Sequence, residues 1–225
     1  SAATNLPQPD EDTGWAPANT TGDKAVTLVL PQSITADTLA LCGTGLDNIS
    51  VEVAYSTDQG STWTTPAEAQ FTLAADLNAA WAPLPSNVAD HWKITFSGFG
   101  SDFAVQYLAL CQRVPLPYLA EDPDPARVQV EGTPLVSAAG YYVGACLQRS
   151  MRELPLDLGQ LTDGEYSALG GWIDDCVTPM RAFFFVPDNT SEQVFFGWLK
   201  DSRFAAPRKN GLRDPDSLTF VTRAA

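Results

Sequence analysis

The sequence has little of what catalysis usually requires. It contains one histidine among 225 residues, so any Ser-His-Asp or Cys-His arrangement would have to include His91. It has no Gly-x-Ser-x-Gly, phosphate-binding loop or His-Glu-x-x-His pattern. We therefore expect a protein that is not an enzyme and that uses no metal or organic cofactor.

Positive charge is scarce as well. The chain has 13 lysine and arginine residues against 27 aspartate and glutamate residues, which gives a net charge of −14. Nucleic-acid binding needs basic side chains that release counterions from phosphates, so no DNA or RNA partner is expected. The late part of the chain holds a basic cluster of Lys200, Arg203, Arg208, Lys209 and Arg213. This cluster is either a solvated loop or a docking surface for an acidic neighbouring subunit.

Long apolar runs and grouped cysteines are also absent. No segment approaches the roughly 18 apolar residues of a membrane span, and residues 1–14 are polar, so we expect a soluble chain without a signal peptide. The four cysteines lie far apart, which disfavours a zinc site and a disulfide scaffold. Buried free thiols are expected, and a bridge between Cys42 and Cys111 stays open.

What the sequence does contain is a series of short β-branched and aromatic runs separated by turn residues. These runs occur at 26–30, 38–42, 49–55, 92–96 and 105–111, and again at 127–131, 141–148, 154–158, 181–186, 194–199 and 218–222. The prolines of residues 115–125 interrupt the series and predict a domain boundary there. The chain is therefore predicted to be mostly β, with two antiparallel β-sandwich modules at 1–118, including an N-terminal arm, and 119–225.

One α-helix is predicted in the second module, at about 162–177. Thr162 and Glu165 have the spacing of a capping box, and the apolar residues that follow recur at intervals of three and four. Gly170 and Gly171 weaken the helix but keep its apolar stripe. Asp174 and Asp175 are adjacent, so they point in different directions and favour a solvated face over a pair of catalytic carboxylates.

A tetrapeptide repeats within the first module. Residues 39–42 and 108–111 both read Leu-Ala-Leu-Cys. Two strands with the same alternation of small and large residues are expected at equivalent central positions of one sandwich, which would bring Cys42 near Cys111. Whether the two cysteines are bonded depends on the distance between them.

The sharpest motif is Ser-Thr-Asp-Gln-Gly-Ser-Thr-Trp at residues 56–63. It fits the Asp-box pattern of sialidase propellers at all five fixed positions, which are Ser56, Asp58, Gly60, Thr62 and Trp63. A carboxylate that accepts backbone N–H bonds and a glycine with positive φ predict a structural turn in a hairpin. A propeller needs several such boxes in a longer chain, so the motif does not indicate a sialidase.

Tryptophan is the other binding signal in the first module. Trp63 and Trp92 fall near predicted loops and are candidates for stacking on a sugar ring. The same residues are common in the core or at the rim of a small sandwich. Core packing is therefore the main alternative for both.

The motif order resembles structural proteins from the tail tip or baseplate of long-tailed bacteriophages. In the first module the similarity lies in residues 36–43, 51–58, 62–63 and 105–110, and it implies a galactose-binding-like sandwich. In the second module, residues 154–158 and 182–188 flank the predicted helix in the manner of tail-tube-like domains. One departure is that the sandwich precedes the belt, whereas distal tail proteins commonly present the belt first.

The resemblance implies a virion structural protein of distal-tail type. Its second module would form a ring, expected to be a hexamer, at the end of the tail tube and attach other tail components, and its first module would project outward. The protein would then be found in the virion tail, and in the host cytoplasm during assembly. The residues proposed for subunit contacts are Phe183, Phe185, Phe196, Trp198, Arg203, Arg208 and Lys209. The alternative function is that of a carbohydrate-binding module protein.

Overall fold

The computed structural model describes residues 15–17, 22–73, 79–99, 103–116, 128–136, 138, 142–187, 194–200 and 204–223. The protein is mostly β, with 55% of residues in strands and 11% in helices, which confirms the predicted fold class. It divides into two compact units, Ser1–Arg113 with Asp188–Val194 and Val114–Pro187 with Phe195–Ala225. Most of the predicted N-terminal arm and the predicted boundary at 118/119 lie outside the described residues. No described helix is long and apolar enough to cross a membrane.

The first unit contains a five-stranded sheet with the order β3-β2-β4-β1-β5. Its strands are β1 (Lys24–Thr44), β2 (Ser50–Ser56), β3 (Gln70–Thr72), β4 (Ala79–Ser97) and β5 (Ala104–Cys111). A 3₁₀ turn at Ala67–Ala69 precedes β3.

The two long strands β1 and β4 pair antiparallel over nearly their whole length. Turn residues were expected to separate the runs at 26–30 and 38–42 into two strands, but residues 31–33 lie within β1, where the register shifts between Val29 and Ile34. The polar and proline residues therefore form an irregularity that bends the strand rather than a reversal of the chain. Val26 from the first half of β1 and Leu41 from the second half belong to one core, so the bent sheet encloses its own core.

The repeated tetrapeptides lie on neighbouring strands. Leu39 pairs with Leu110 and Leu41 with Leu108, because β1 and β5 run antiparallel. The antiparallel pairing aligns the two repeats in opposite directions, so Cys111 lies opposite Thr38, four residues along β1 from Cys42. At about 3.3 Å per residue, that offset is too long for a disulfide. Neither cysteine forms a disulfide, as expected, and Cys42 is buried whereas Cys111 is half-buried.

The second unit contains a five-stranded sheet with the order β6-β7-β12-β9-β8 and a separate hairpin of β10 and β11. The strands are β6 (Val128–Val136), β7 (Tyr142–Leu156), β8 (Phe183–Phe185), β9 (Phe195–Leu199), β10 (Arg208–Lys209), β11 (Leu212–Arg213) and β12 (Leu218–Arg223). The predicted strands at 141–148 and 154–158 are parts of the single strand β7.

The predicted helix is present as three successive segments. They are α1 (Asp163–Ala168), α2 (Gly170–Trp172) and a π-helical turn at Ile173–Val177. Both halves of the capping box form, because the Thr162 N–H donates to Glu165 Oε2 at 2.7 Å and the Glu165 N–H donates to Thr162 Oγ1 at 3.3 Å. The hydrogen bond from the Thr162 backbone lowers the pKa of Glu165.

The core of the second unit lies between one face of the sheet and the helix. The sheet contributes Leu154 and Phe220, and the helix contributes Leu169 and Val177. Phe204, from the segment that leads to the β10–β11 hairpin, completes this layer. The apolar stripe read from the sequence is therefore the surface that holds the helix on the sheet.

Replacing Gly197 with alanine is expected to destabilise the second unit by about 1–3 kcal/mol, because overpacking costs that much in a filled core. A Cβ at this position would lie 2.1 Å from the Val221 carbonyl oxygen and 2.9 Å from a Phe220 ring carbon. The matched control is Gly171→Ala, where nothing lies within 4 Å and alanine improves helix propensity. Urea unfolding followed by tryptophan fluorescence measures both. Equal losses in the two variants would contradict the packing described for Gly197.

Candidate binding surfaces

The Asp-box closes a turn between two paired segments. Tyr55 and Thr64 exchange backbone hydrogen bonds of 3.0 and 2.9 Å, so residues 56–63 form the loop of a hairpin. Gln59 and Gly60 both have positive φ, at 59° and 82°. Glycine adopts a positive φ without strain, which explains why residue 60 is a glycine. The motif thus forms the hairpin turn that its sequence predicts.

Hydrogen bonds made by the side chains of Asp58 and Ser56 stabilise the turn. Asp58 Oδ1 accepts hydrogen bonds from the Thr62 N–H at 2.8 Å and from the Ser56 hydroxyl at 2.7 Å. Asp58 Oδ2 accepts a hydrogen bond from the Thr62 hydroxyl at 2.6 Å, and Ser56 Oγ accepts one from the Gly60 N–H at 2.9 Å. The bonds from Thr62 and Ser56 favour the charged carboxylate and lower the pKa of Asp58 to about 2.

The turn places Trp63 beside the solvent-facing side of β4. On β4, Trp92 and Ile94 point into the core, so His91 and Lys93 point to the other face. Lys93 Nζ lies 4.8 Å from the centroid of the Trp63 ring, within the range of a cation–π contact. Both side chains are half-buried. The Asp-box therefore fixes an indole ring next to an ammonium group.

His91 and the neighbouring strand β1 extend this surface. The His91 ring is 15% exposed, and its Nδ1 lies 2.8 Å from Asp90 Oδ1. This contact lowers the pKa of Asp90. On β1, Thr27 lies opposite Lys93 and Val29 lies opposite His91, and Val29 is 65% exposed. We call the surface formed by Trp63, His91, Lys93, Thr27 and Val29 the Trp63 face.

The two candidate sugar contacts occupy different environments. Trp63 is half-buried, so part of the residue reaches solvent. Trp92 is 1% exposed, and its indole N–H donates to the Ala89 carbonyl at 3.1 Å. A sugar cannot stack on a ring enclosed in the core, so the prediction for Trp92 is wrong and the alternative of core packing applies to it.

In the second unit, the rings of Phe183 and Phe185, which were predicted as subunit contacts, face the core side of the sheet. Phe185 is 5% exposed, and both rings pack against Phe220 at centroid distances of 5.1 and 5.5 Å. Because side chains alternate along a strand, Phe184 points to the opposite face. There it lies opposite Phe196 on β9, with 4.8 Å between the ring centroids.

Phe196 and Trp198 do point away from the core, as a contact surface requires. Both are half-buried, and they flank Gly197, which pairs with Phe183. With Phe184 they form a contiguous surface that we call the aromatic face. Both faces of the sheet therefore carry aromatic side chains, one face packed in the core and the other pointing away from it.

The predicted basic contacts are engaged in local ion pairs. Arg208 and Arg213 both bind the carboxylate of Asp163 at the start of α1, and Lys209 Nζ lies 3.7 Å from Asp214. Arg213 also lies over the Tyr166 ring, 4.3 Å from its centroid. These pairs brace the β10–β11 hairpin against the helix and favour the alternative of a solvated loop. Arg203 lies outside the described residues.

Neither Lys93 nor Phe184 was identified from the sequence. The alternation along β4 was a usable signal for Lys93, because Trp92 and Ile94 predict an inward face on either side of it. Phe184 stands in the middle of three phenylalanines, so no sequence signal distinguishes the face on which it lies. The acidic pair Asp174 and Asp175 is exposed, as expected for a solvated face. Among the described residues, no three His, Cys, Asp or Glu side chains cluster as a metal site would require.

Comparisons with known proteins show no family. No family model matches the sequence, and no curated protein matches it. Among solved structures, a pectin-binding carbohydrate-binding module is 19% identical, with a TM-score of 0.42, and the match covers 51% of this chain and 83% of that one. A chitosan-binding module of a Paenibacillus sp. IK-5 chitosanase/glucanase is 18% identical, with a TM-score of 0.41 and coverages of 48% and 82%.

A third similar structure is the module CpGH89CBM32-6 produced by Clostridium perfringens. It is 16% identical, with a TM-score of 0.38, and the match covers 48% of this chain and 83% of that chain. None of these three is a tail protein, so the tail-tip resemblance gains no support from them. Similarity at this level does not identify the ligand of the present chain.

Replacing Asp58 with alanine is expected to loosen the turn. The variant should unfold at a lower temperature and exchange the Thr62 and Gly60 amide protons faster, because the acceptor for Thr62 is lost. Glu68→Ala, an exposed change in the same unit, is the matched control. Calorimetry and hydrogen exchange measure the two effects. Unchanged exchange at Thr62 would contradict the role assigned to Asp58.

The stabilisation from Asp58 should also depend on pH. The folded carboxyl titrates near 2, below its usual value of 3.8, so its contribution is present above the unfolded pKa and is lost as pH falls through the folded pKa. The difference in stability between the protein and Asp58→Asn should therefore shrink between about pH 4 and pH 2. A difference that stays constant over this window would contradict the titration.

Proposed function

We propose that the protein is a non-catalytic binding protein whose first unit binds carbohydrate through the Trp63 face. The observation that carries this proposal is the half-buried Trp63 ring, which the Asp-box holds beside polar and apolar side chains. A fixed aromatic ring packs against the apolar face of a pyranose, and neighbouring polar groups bind its hydroxyls. Val29 adds exposed apolar area on the same surface.

The absence of catalysis is part of the same proposal. His91 is bound to Asp90 and lies beneath the Asp-box turn, where its Cδ2 is 3.6 Å from the position of a Cβ on Gly60. Ser56 lies opposite His91 on β2, but its hydroxyl donates to Asp58 Oδ1 at 2.7 Å and accepts a hydrogen bond from the Gly60 N–H at 2.9 Å. The surface is thus suited to holding a ligand rather than to activating one.

A second candidate function is assembly, and the aromatic face of the second unit favours it. Half-buried Phe196 and Trp198 on the outer side of a sheet are typical of protein contacts. Among the described strands, β6 and β8 each have one neighbour, so both ends of the sheet are edges. Following the motif resemblance, we propose that the assembly is a hexameric ring in a phage tail tip, attached to the tail tube.

The two functions are compatible because they use different units. In a tail tip, the second unit would make the subunit contacts while the first presents its Trp63 face to a surface glycan. The protein would then be part of the virion.

Carbohydrate binding is expected to depend on Trp63. Trp63→Ala should weaken binding at least about tenfold, because a well-placed aromatic contact is worth about 1.5 kcal/mol. Trp198→Ala, in the other unit, is the matched control and should bind glycans as the unchanged protein does. A glycan array followed by calorimetry on any ligand found measures both. Equal affinities in all three proteins would contradict a site at Trp63.

Assembly is expected to depend on Phe196 and Trp198 and not on Trp63. The protein should form an oligomer with the mass of about six chains, and Trp198→Ser with Phe196→Ser should shift it to monomers. Trp63→Ala should leave the oligomer intact. Light scattering after size-exclusion chromatography gives the masses. A monomer across the accessible concentration range would contradict the assembly candidate.

A further inference from the structure

In the described part of the chain, Lys93 has no ion pair with a carboxylate, unlike five other basic side chains. Among the described residues, Arg113 pairs with Asp37, Lys200 with Glu153 and Lys209 with Asp214, and Arg208 and Arg213 share Asp163. The contact described for the Lys93 ammonium is the ring of Trp63. Lys93 is thus a half-buried cation without a described carboxylate partner, in a chain whose net charge is −14.

The carboxylates of Asp58, Asp90 and Glu52 accept hydrogen bonds from, or lie against, residues other than Lys93. Asp58 is bound by Thr62 and Ser56, and Asp90 lies against His91. Glu52, on the adjacent strand β2, accepts hydrogen bonds of 3.2 Å from Thr65 and Gln70. None of these three acids is therefore directed at the ammonium group, which keeps its hydrogen-bond donors available to a ligand.

We propose that the Trp63 face selects acidic sugars, with Lys93 as the residue that binds the carboxylate or sulfate group. This inference rests on the carbohydrate function proposed above. A sugar that packs against the exposed part of Trp63 lies within one side-chain length of Lys93, where its anionic group meets a cation already fixed by the ring. Charge-assisted bonds of this kind are about twice as strong as neutral ones.

The net negative charge of the chain opposes the binding of an acidic sugar, but it acts over longer distances than the contact with Lys93. Its acidic residues repel an anionic polymer at long distance, and physiological salt screens that repulsion beyond about 8 Å. The contact with Lys93 is made at hydrogen-bond distance, where screening is small. The overall negative charge should therefore slow association without removing the local preference.

The experiment compares matched neutral and acidic ligands on three forms of the whole chain. Polygalacturonate fragments and the fully methyl-esterified, neutral fragments of equal length serve as probes, and the proteins are the unchanged chain, Lys93→Met and Lys93→Arg. Methionine keeps the packing against Trp63 and removes the charge, whereas arginine keeps the charge. Calorimetry at 50 and 300 mM NaCl gives affinities and their salt dependence.

The unchanged protein should bind the acidic fragment about tenfold or more tightly than the neutral one. Lys93→Met should lose that preference and bind the acidic and neutral fragments with similar affinity, Lys93→Arg should keep the preference, and salt should weaken acidic binding alone. Binding of the neutral fragment with no acidic preference would overturn this inference and leave the carbohydrate function standing. Binding of neither fragment, with none found on a wider glycan array, would overturn both.

Discussion

The register of β4 is the constraint on which the described surfaces of the first unit depend. This strand pairs with β1 on one side and β2 on the other, so its alternation determines which side chains reach the core and which reach solvent. Trp92 and Ile94 point inward, and as a result His91 and Lys93 point outward, towards the hairpin that carries Trp63. A shift of one residue would bury the lysine and expose the core tryptophan.

The Trp63 face also depends on the Asp-box, which fixes the position of the Trp63 ring. Its carboxylate is charged over the whole physiological pH range, and its hydrogen bonds stay within residues 56–62. Such a turn is rigid without depending on a distant partner. A motif whose own contacts are structural therefore also determines the position of Trp63, which lies against Lys93.

Local signals in the sequence predicted local structure well. The capping box at Thr162, the Asp-box at Ser56 and most strand positions follow from residues close together in the chain. The relative direction of neighbouring strands could not be predicted, nor could the face of the sheet on which each side chain lies. The Leu-Ala-Leu-Cys repeats lie on antiparallel neighbours, which separates Cys42 from Cys111, and a run of three phenylalanines gives no sign of which ring faces outward. Trp92 was misplaced for the same reason, since the side of a strand is a property of the sheet.

The central proposal is that Trp63 contacts a carbohydrate ligand whereas buried Trp92 does not, and the indole N–H signals test it directly. The chain has six tryptophans, so a two-dimensional ¹H–¹⁵N spectrum should resolve their side-chain signals for assignment by single substitutions. Titration with an acidic oligosaccharide should move the Trp63 signal in a saturable way and leave the signal of buried Trp92 in place. A Trp63 signal that does not move at saturating ligand would contradict the account.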